Sequence, residues 1–582
     1  MKALQVFTFL TLCSIIVALT ACAANKTAEK AKADALARAA SRPPHVATFT
    51  GSYLAGRFAQ RHQDWEAAQN YMNTVLKKDT ANAELRERTF LLTLGAGDTG
   101  KAKELAHDIL ASGADSELSN IFLACDDMAR DDLKSALAHV TALPDTGFGQ
   151  YTKPLMSAWV LAGMGRKDEA LKLLADSSNP DDPTYRLHAG MIEEMSGNNT
   201  AAATHYKAAM ANGLTLHGAV TVGDFFARTG RADIAQVIYD GLGKMYPFNP
   251  FIAALAHQDP HRVIAPSAAR AADGAAFALY DLATLLYEKH AYDSALVYNG
   301  MVRLLQPASP FAMMMSGDIA ALHQQYPQAL ESYNSIPQNS PLYWLSRMRV
   351  AESYEISGHL DQAIGQVQSL TKQGPLRVNA LVTLGDMQRR HENYAEALKA
   401  YDAALAEIGP LKEDQWPVIY ARGMSLERLN RWQLAEKDLL KALELQPDNP
   451  MILNFIGYSW VTKGIHMDKA VDYLKRAASL KPDDGYVLDS YGWALYRTGQ
   501  YDTATKMLEQ AVAQIPDDST ILDHLGDAYW ETGRRNEARF KWLRASETSD
   551  DAAFKALLQQ KLRAGLATAP VAHLTHAKEA KL

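Results

Sequence analysis

Two consecutive copies of one 34-residue unit, between Gly485 and Ala545, constrain this chain more than any other stretch. Gly492 matches Gly526, Gly499 matches Gly533, and Ala504 matches Ala538. Each copy carries apolar residues at helical spacing in two blocks, first Leu488, Tyr491 and Leu495, then Ala504, Leu508 and Ala511, so each reads as two antiparallel helices. Gly499 and Gly533 fall at the turn. Gly492 and Gly526 lie inside the first helix, where Gly costs about 1 kcal/mol relative to Ala, a cost tolerated where a facing helix must approach closely. Ala504 and Ala538 act from the other side, and a larger side chain there would overpack the contact by roughly 1 to 3 kcal/mol. One such pair cannot bury its own apolar face, so the unit is expected to recur as a stack.

It does recur. The Ala that opens each second helix stands at Ala68, Ala102, Ala136, Ala170, Ala202 and Ala235, and then at Ala295, Ala329, Ala363, Ala397, Ala435, Ala470, Ala504 and Ala538. The steps are 34, 34, 34, 32 and 33, then 60, then 34, 34, 34, 38, 35, 34 and 34. Phe90 and Ala158 replace the Gly in early units, which rest mainly on the Ala register and are expected to be less regular. This spacing, with a Leu or Tyr before the first Gly and Pro516 at the end of a copy, resembles the tetratricopeptide repeat.

The resemblance implies an all-α tetratricopeptide-repeat superhelix, an α-solenoid of about fourteen helical hairpins with a C-terminal capping helix. Two arms are expected: an N-terminal repeat array at 48–245 and a C-terminal array at 275–548. Between them, 246–274 reads as a junction in which Pro247, Pro250, Pro260 and Pro266 interrupt any continuous helix, with a short helix at Phe251 to His257. Residues 549–566 read as the capping helix and 567–582 as a disordered tail. The stretch around Gly409, Pro410 and Lys412 and the extra residue near His466 are expected to be longer loops.

Residues 1–21 join Lys2 to an apolar core and finish in Leu19, Thr20 and Ala21, the shape of a signal peptide. With Cys22 this end resembles the bacterial lipobox, which implies cleavage before Cys22 and a diacylglycerol on its sulfur; an uncleaved membrane helix is the other reading. Ala23 in place of an Asp implies the cell outer membrane, with the body facing the periplasm on a lipid anchor. Residues 22–47, rich in Ala and Lys and closed by Pro43 and Pro44, read as a flexible tether. Cys13 leaves with the signal, so Cys125 remains alone, as a buried thiol without an intramolecular disulfide.

The net charge of −7 leaves no basic footprint for nucleic acid. No phosphate-binding loop, metalloprotease helix, cysteine pair or nucleophile elbow is present, so no catalytic residue, cofactor or metal is expected. His573 and His576 read as a polar terminus. Function then falls to the concave surface of the stack. In the repeat family that surface is lined from positions 2, 5, 9, 12 and 13 of the first helix. Carried onto units beginning at Pro450, Gly485 and Ser519, these are Met451, Asn454, Tyr458, Val461 and Thr462, then Tyr486, Asp489, Trp493, Tyr496 and Arg497, then Thr520, Asp523, Asp527, Trp530 and Glu531.

Aromatic rings beside carboxylates suit an extended peptide or a helix of a partner, with Trp460 and Trp542 read as core; the chain's own C-terminal helix is the other candidate occupant. Peptidoglycan sugars are a further ligand class for such a groove. Family members that clamp acidic peptide tails carry Lys and Asn where this chain has Asp489, Asp523 and Asp527, so an acidic tail is a poor ligand. As a whole, the architecture resembles outer-membrane lipoprotein adaptors that bring peptidoglycan hydrolases to periplasmic carboxy-terminal processing proteases. Similar lipoproteins serve pilus assembly, outer-membrane biogenesis and export, so a structural subunit of such a machine is the alternative.

Overall fold

The structure is a computed structural model that describes residues 48–566, apart from 177–181, 247–248, 250, 253–254, 256–263 and 373–375. The signal peptide, Cys22, the tether and the tail at 567–582 lie outside the described residues, as does most of the short helix expected at Phe251 to His257. Among the described residues the chain is all-helical, an α-solenoid of fourteen helical hairpins and one closing helix, the architecture that the repeat resemblance implies. None of these helices is long and apolar enough to cross a membrane.

Hairpins 1 to 6 pair Phe49–Arg61 with Trp65–Leu76, Ala83–Gly95 with Thr99–Ala111, Glu117–Ala129 with Leu133–Thr141, Gly149–Gly163 with Lys167–Ala175, Pro183–Met195 with Asn199–Ala211, and Leu216–Arg228 with Ala232–Met245. Hairpins 7 to 10 pair Ala271–Glu288 with Tyr292–Leu305, Pro310–Leu322 with Tyr326–Asn334, Tyr343–Ile356 with Leu360–Leu370, and Arg377–Arg390 with Tyr394–Ile408. Hairpins 11 to 14 pair Trp416–Arg428 with Trp432–Leu445, Pro450–Lys463 with Met467–Leu480, Gly485–Arg497 with Tyr501–Gln514, and Ser519–Glu531 with Arg535–Thr548. Ala552–Ala564 closes the stack.

The alanine register marks one structural position throughout. Each of the fourteen Ala residues is the fourth residue of its second helix, and all are buried, thirteen at 0% exposure and Ala235 at 3%. Opposite them, the first-helix glycines make room for a large side chain on the second helix. A Cβ on Gly190, Gly223, Gly317, Gly385, Gly492 or Gly526 would lie 2.4–2.7 Å from Tyr206, Tyr239, Tyr333, Tyr401, Leu508 or Trp542 respectively. That distance is inside van der Waals contact, so the small residue fixes how closely the two helices nest.

The early hairpins form despite Phe90 and Ala158, although the second helices of hairpins 3 and 4 are only nine residues long. Every hairpin turn holds a residue in the left-handed region, a Gly in seven of them, and Gln63, Asp131, His290, Gln324, Glu392 or Asn430 in six more. The remaining turn has both Gly464 and His466 there, which absorbs its extra residue. The loop at 409–415 contains a short 3₁₀ turn at Glu413–Gln415.

The described residues divide into compact units at 48–380 and 381–566, and not at the expected junction 246–274. The physical reason is the helix Ala271–Glu288. Eleven of its eighteen residues are buried, including Ala271, Ala272 and the unbroken run Gly274–Leu279, so it has no polar face over that stretch and must be covered on all sides. It packs on the first helices of hairpins 3, 4 and 5, while its partner Tyr292–Leu305 packs on those of hairpins 2 and 3. Gly274 admits Trp159, whose Nε1 donates to His188 Nδ1 at 2.8 Å, and Phe277 stacks on His217 with ring centres 4.0 Å apart. Burial holds both imidazoles neutral, with pKa values pushed down to about 3. Hairpin 7 therefore occupies the first-helix face of hairpins 2 to 5. Cys125 is buried in this unit, and burial pushes its thiol pKa up.

Candidate protein-binding face

In the unit at 381–566, the first helices of hairpins 12, 13 and 14 each begin at an acidic or amide cap. Asn449, Asp484 and Asp518 accept from two amides of the following turn at 2.9–3.3 Å, which sets the start of each lining helix. Along them, Asn454, Tyr458, Tyr486, Trp493, Tyr496 and Arg497 are half-buried, Met451, Thr462 and Thr520 likewise, and Val461 is fully buried. Glu531 is exposed.

Trp493 lies stacked between Tyr496, centre to centre 4.9 Å, and His524, 4.0 Å, both within about 11° of parallel, with the Arg497 guanidinium 5.9 Å from its ring. Asn454 Oδ1 is buried and has no hydrogen-bond partner. Burial pushes the Tyr458 hydroxyl up to about 12. Trp493, Tyr496 and His524 thus form one stacked group, and Asn454, Tyr458 and Tyr486 lie half-buried on the first helices of hairpins 12 and 13. Trp460 and Trp542 are core, as expected.

The three carboxylates are not open. Asp489, Asp523 and Asp527 are 6%, 7% and 5% exposed, and each is engaged by the chain itself. His524 Nδ1 lies 2.8 and 3.1 Å from the two Asp489 oxygens. Lys561 of the closing helix donates to both oxygens of Asp523 and both of Asp527 at 2.7–2.9 Å. The backbone at Gly565, with φ 71°, lies against Trp530, where a Cβ would come 2.1 Å from the indole. Of the two occupants expected for this groove, the chain's own helix takes the positions in hairpin 14. Asp489, Asp523, Asp527 and Trp530 are therefore internal contacts and not open lining, because the apolar face of the last described hairpin must still be covered.

The electrostatics follow from burying five charges together. Burial alone would lower the His524 pKa, but the Asp489 carboxylate outweighs it and the pKa is raised. Burial and the neighbouring Asp523 push Asp527 up to about 7 against the pull of Lys561. Burial would likewise lower Lys561, and the two carboxylates overcome it. Among the described residues no group of three or more His, Cys, Asp or Glu side chains is placed to hold a metal ion.

Asp527 also belongs to a series that the position-by-position reading missed. An Asp directly follows the first-helix glycine at Asp224, Asp318, Asp386 and Asp527, and it accepts from the polar end of an aromatic fifteen residues on. Tyr239, Tyr333 and Tyr401 donate through their hydroxyls at 2.6–2.7 Å, and Trp542 through Nε1 at 2.9 Å. In hairpin 5, Glu194 does the same for Tyr206 at 2.8 Å. A cation from the next first helix completes the set in three places: Arg228 on Glu194 at 2.7 Å, Arg349 on Asp318 at 3.6 Å, and Lys561 on Asp527. Aromatic, acid and cation together key one hairpin to the next. A Gly-Asp pair with Tyr or Trp at the fixed later spacing is the signal in the sequence that marks it.

Residues 351–412 and 420–485 match one tetratricopeptide repeat model, and residues 495–561 match another. A TPR repeat-containing protein of Pseudomonas aeruginosa is 26% identical over 199 residues, which cover 33% of this chain and 32% of that protein. The match thus spans about a third of that relative's length. Among solved structures, the chain is similar to a chain of the APC/C hetero-tetramer Cut9–Hcn1, at 14% identity over 90% of this chain and 98% of that one with a TM-score of 0.36. It is also similar to yeast Tom70, at 14% identity over 89% and 95% with a TM-score of 0.32. YrrB, described as a TPR protein with an unusual peptide-binding site, is 18% identical over 33% of this chain and 97% of its own, with a TM-score of 0.27.

Proposed function

Starting from a tetratricopeptide-repeat protein, a class of protein-binding scaffolds, we propose that this chain is a non-catalytic adaptor of the bacterial cell envelope, anchored by lipid at Cys22 to the outer membrane. In this reading it holds peptidoglycan hydrolases for a periplasmic carboxy-terminal processing protease. The observation that carries the binding role is the partial exposure of Asn454, Tyr458, Tyr486, Trp493 and Tyr496. Stacked rings supply apolar area at low entropic cost. The corresponding face of hairpins 2 to 5 is taken by hairpin 7, whereas these residues of hairpins 12 and 13 remain half-exposed, which supports the reading.

Two experiments test this. Capture from envelope extracts on the wild-type chain and on Trp493→Ala/Tyr496→Ala should differ by loss of a protease and its hydrolase substrates; recovery of only export or pilus components would reject the adaptor. Metabolic labelling with radioactive palmitate should mark the wild-type chain and not Cys22→Ser, and equal labelling would remove the anchor.

A further inference from the structure

Among the described residues, the closing helix Ala552–Ala564 stands as a first helix with no second after it. Lys561 stands 34 residues after Asp527, as Arg228 stands 34 after Glu194, so the closing helix docks by the same acid and cation key that joins consecutive hairpins. Among the described residues no second helix covers it, as one covers every other first helix. Only Leu558 and Lys561 are buried among its thirteen residues, whereas the helix beneath it, Ser519–Glu531, buries nine. Ala552, Ala556, Gln559 and Arg563 are exposed. A short non-helical link at 549–551 joins it to hairpin 14.

Such a helix is held by recognition more than by area. The desolvation of buried charges offsets much of their attraction, so an ion-pair key specifies a position without fixing it strongly. Elements with little buried apolar surface open at the low end of a protein's range of local stabilities. We propose that the face of hairpin 14 bearing Asp523 and Asp527 is a receptor for a Lys- or Arg-bearing amphipathic helix of a partner protein, with Ala552–Ala564 as its resident, displaceable occupant. This deepens the protein-binding reading above and rests on it.

The resident shows what the receptor reads. Phe554, Leu558 and Leu562 follow at four-residue spacing on one face, and the ammonium of Lys561 stands beside the last of them. Asp523 and Asp527 both accept from Lys561, so withdrawing the resident leaves two carboxylates without that ammonium, which a cationic helix restores and an acidic one does not.

The test is a labelled peptide of residues 550–566, titrated into the full chain as wild type, Lys561→Met and Gly565→Ala. Gly565→Ala puts a Cβ 2.1 Å from Trp530 at a φ of 71°, which lifts the resident helix from its C-terminal end without altering either carboxylate or the lysine. Freeing the receptor raises its competent fraction, so both variants should bind the peptide at least about tenfold more tightly than wild type. A peptide with Met in place of the lysine that corresponds to Lys561 should lose that binding. Where Lys561→Met does not fold, Gly565→Ala carries the test alone. A variant whose residues 552–564 lose hydrogen-exchange protection without gaining peptide affinity would overturn the proposal, as would equal binding of the Met peptide. A Gly565→Ala dimer formed by exchange of closing helices would assign the face to a second copy and overturn the partner assignment. If these fail while Trp493→Ala/Tyr496→Ala still abolishes capture of other proteins, the protein-binding reading stands without this receptor.

Discussion

Gly526→Ala should destabilise hairpin 14 although alanine is the better helix former. Gly526 lies within Ser519–Glu531, where the exchange gains about 1 kcal/mol of helix propensity. Against that, the new Cβ would sit 2.5 Å from Cδ1 and Nε1 of Trp542, a ring at 0% exposure with nowhere to move. Overpacking of this kind costs about 1 to 3 kcal/mol, and displacing the indole breaks its 2.9 Å hydrogen bond to the Asp527 carboxylate, worth about 1.5 to 3 kcal/mol. The net loss is about 3 kcal/mol.

Gly365→Ala is the control, since that exposed glycine in Leu360–Leu370 has nothing within 4 Å of its would-be Cβ and should gain the full propensity term of about 1 kcal/mol. Hydrogen exchange by mass spectrometry on the full chain reads both. Amides of 519–548 should exchange roughly a hundredfold faster in Gly526→Ala, and those of 360–370 about fivefold slower in Gly365→Ala. Slower exchange in both variants would refute the claim that close nesting, and not local propensity, placed the glycine.

Ala504→Leu should lower the stability of hairpin 13 by about 1 to 3 kcal/mol while leaving the Trp493 stack intact, checked by denaturant unfolding alongside partner binding. Glu392→Gly relieves a left-handed turn residue at φ 62° and should raise stability by about 1 kcal/mol; an unchanged or lower midpoint would count against strain at these turns. Around the closing helix, His524 and Asp527 hold raised pKa values, so the folded chain keeps protons that the unfolded chain releases. The stability that His524 contributes is complete below its ordinary value near 6.5 and is lost as pH rises through its higher folded value, while that of Asp527 is lost between about 4 and about 7. Exchange at 552–564, corrected for intrinsic rates, should therefore accelerate from pH 5.5 to pH 8.5, and a constant rate would contradict the assignment.

The repeat was legible because its cause is local. A buried Ala at the fourth residue of each second helix leaves a mark that survives even where Phe90 or Ala158 has replaced the companion glycine. Occupancy of the faces was less legible, since helical position says which way Asp523 and Asp527 point and not which segment meets them. Lys561 and the Gly-Asp pairs held that information, but only as a relation between residues 34 apart. That the chain does not divide at 246–274 was written in Gly274–Leu279, a run with no polar face that no two-helix hairpin can bury unaided. Prolines drew attention to 246–274 as a divider, whereas the apolar helix beyond them turns back onto the earlier hairpins.

Cross-linking in intact cells followed by mass spectrometry tests the central claim most directly, because it reports which first-helix faces meet other proteins. Links to other polypeptides should concentrate on residues 450–531, while 83–195 and 271–305 should be joined chiefly to each other within the chain. Partner links spread over the first helices of hairpins 2 to 5, with none at 450–531, would contradict it.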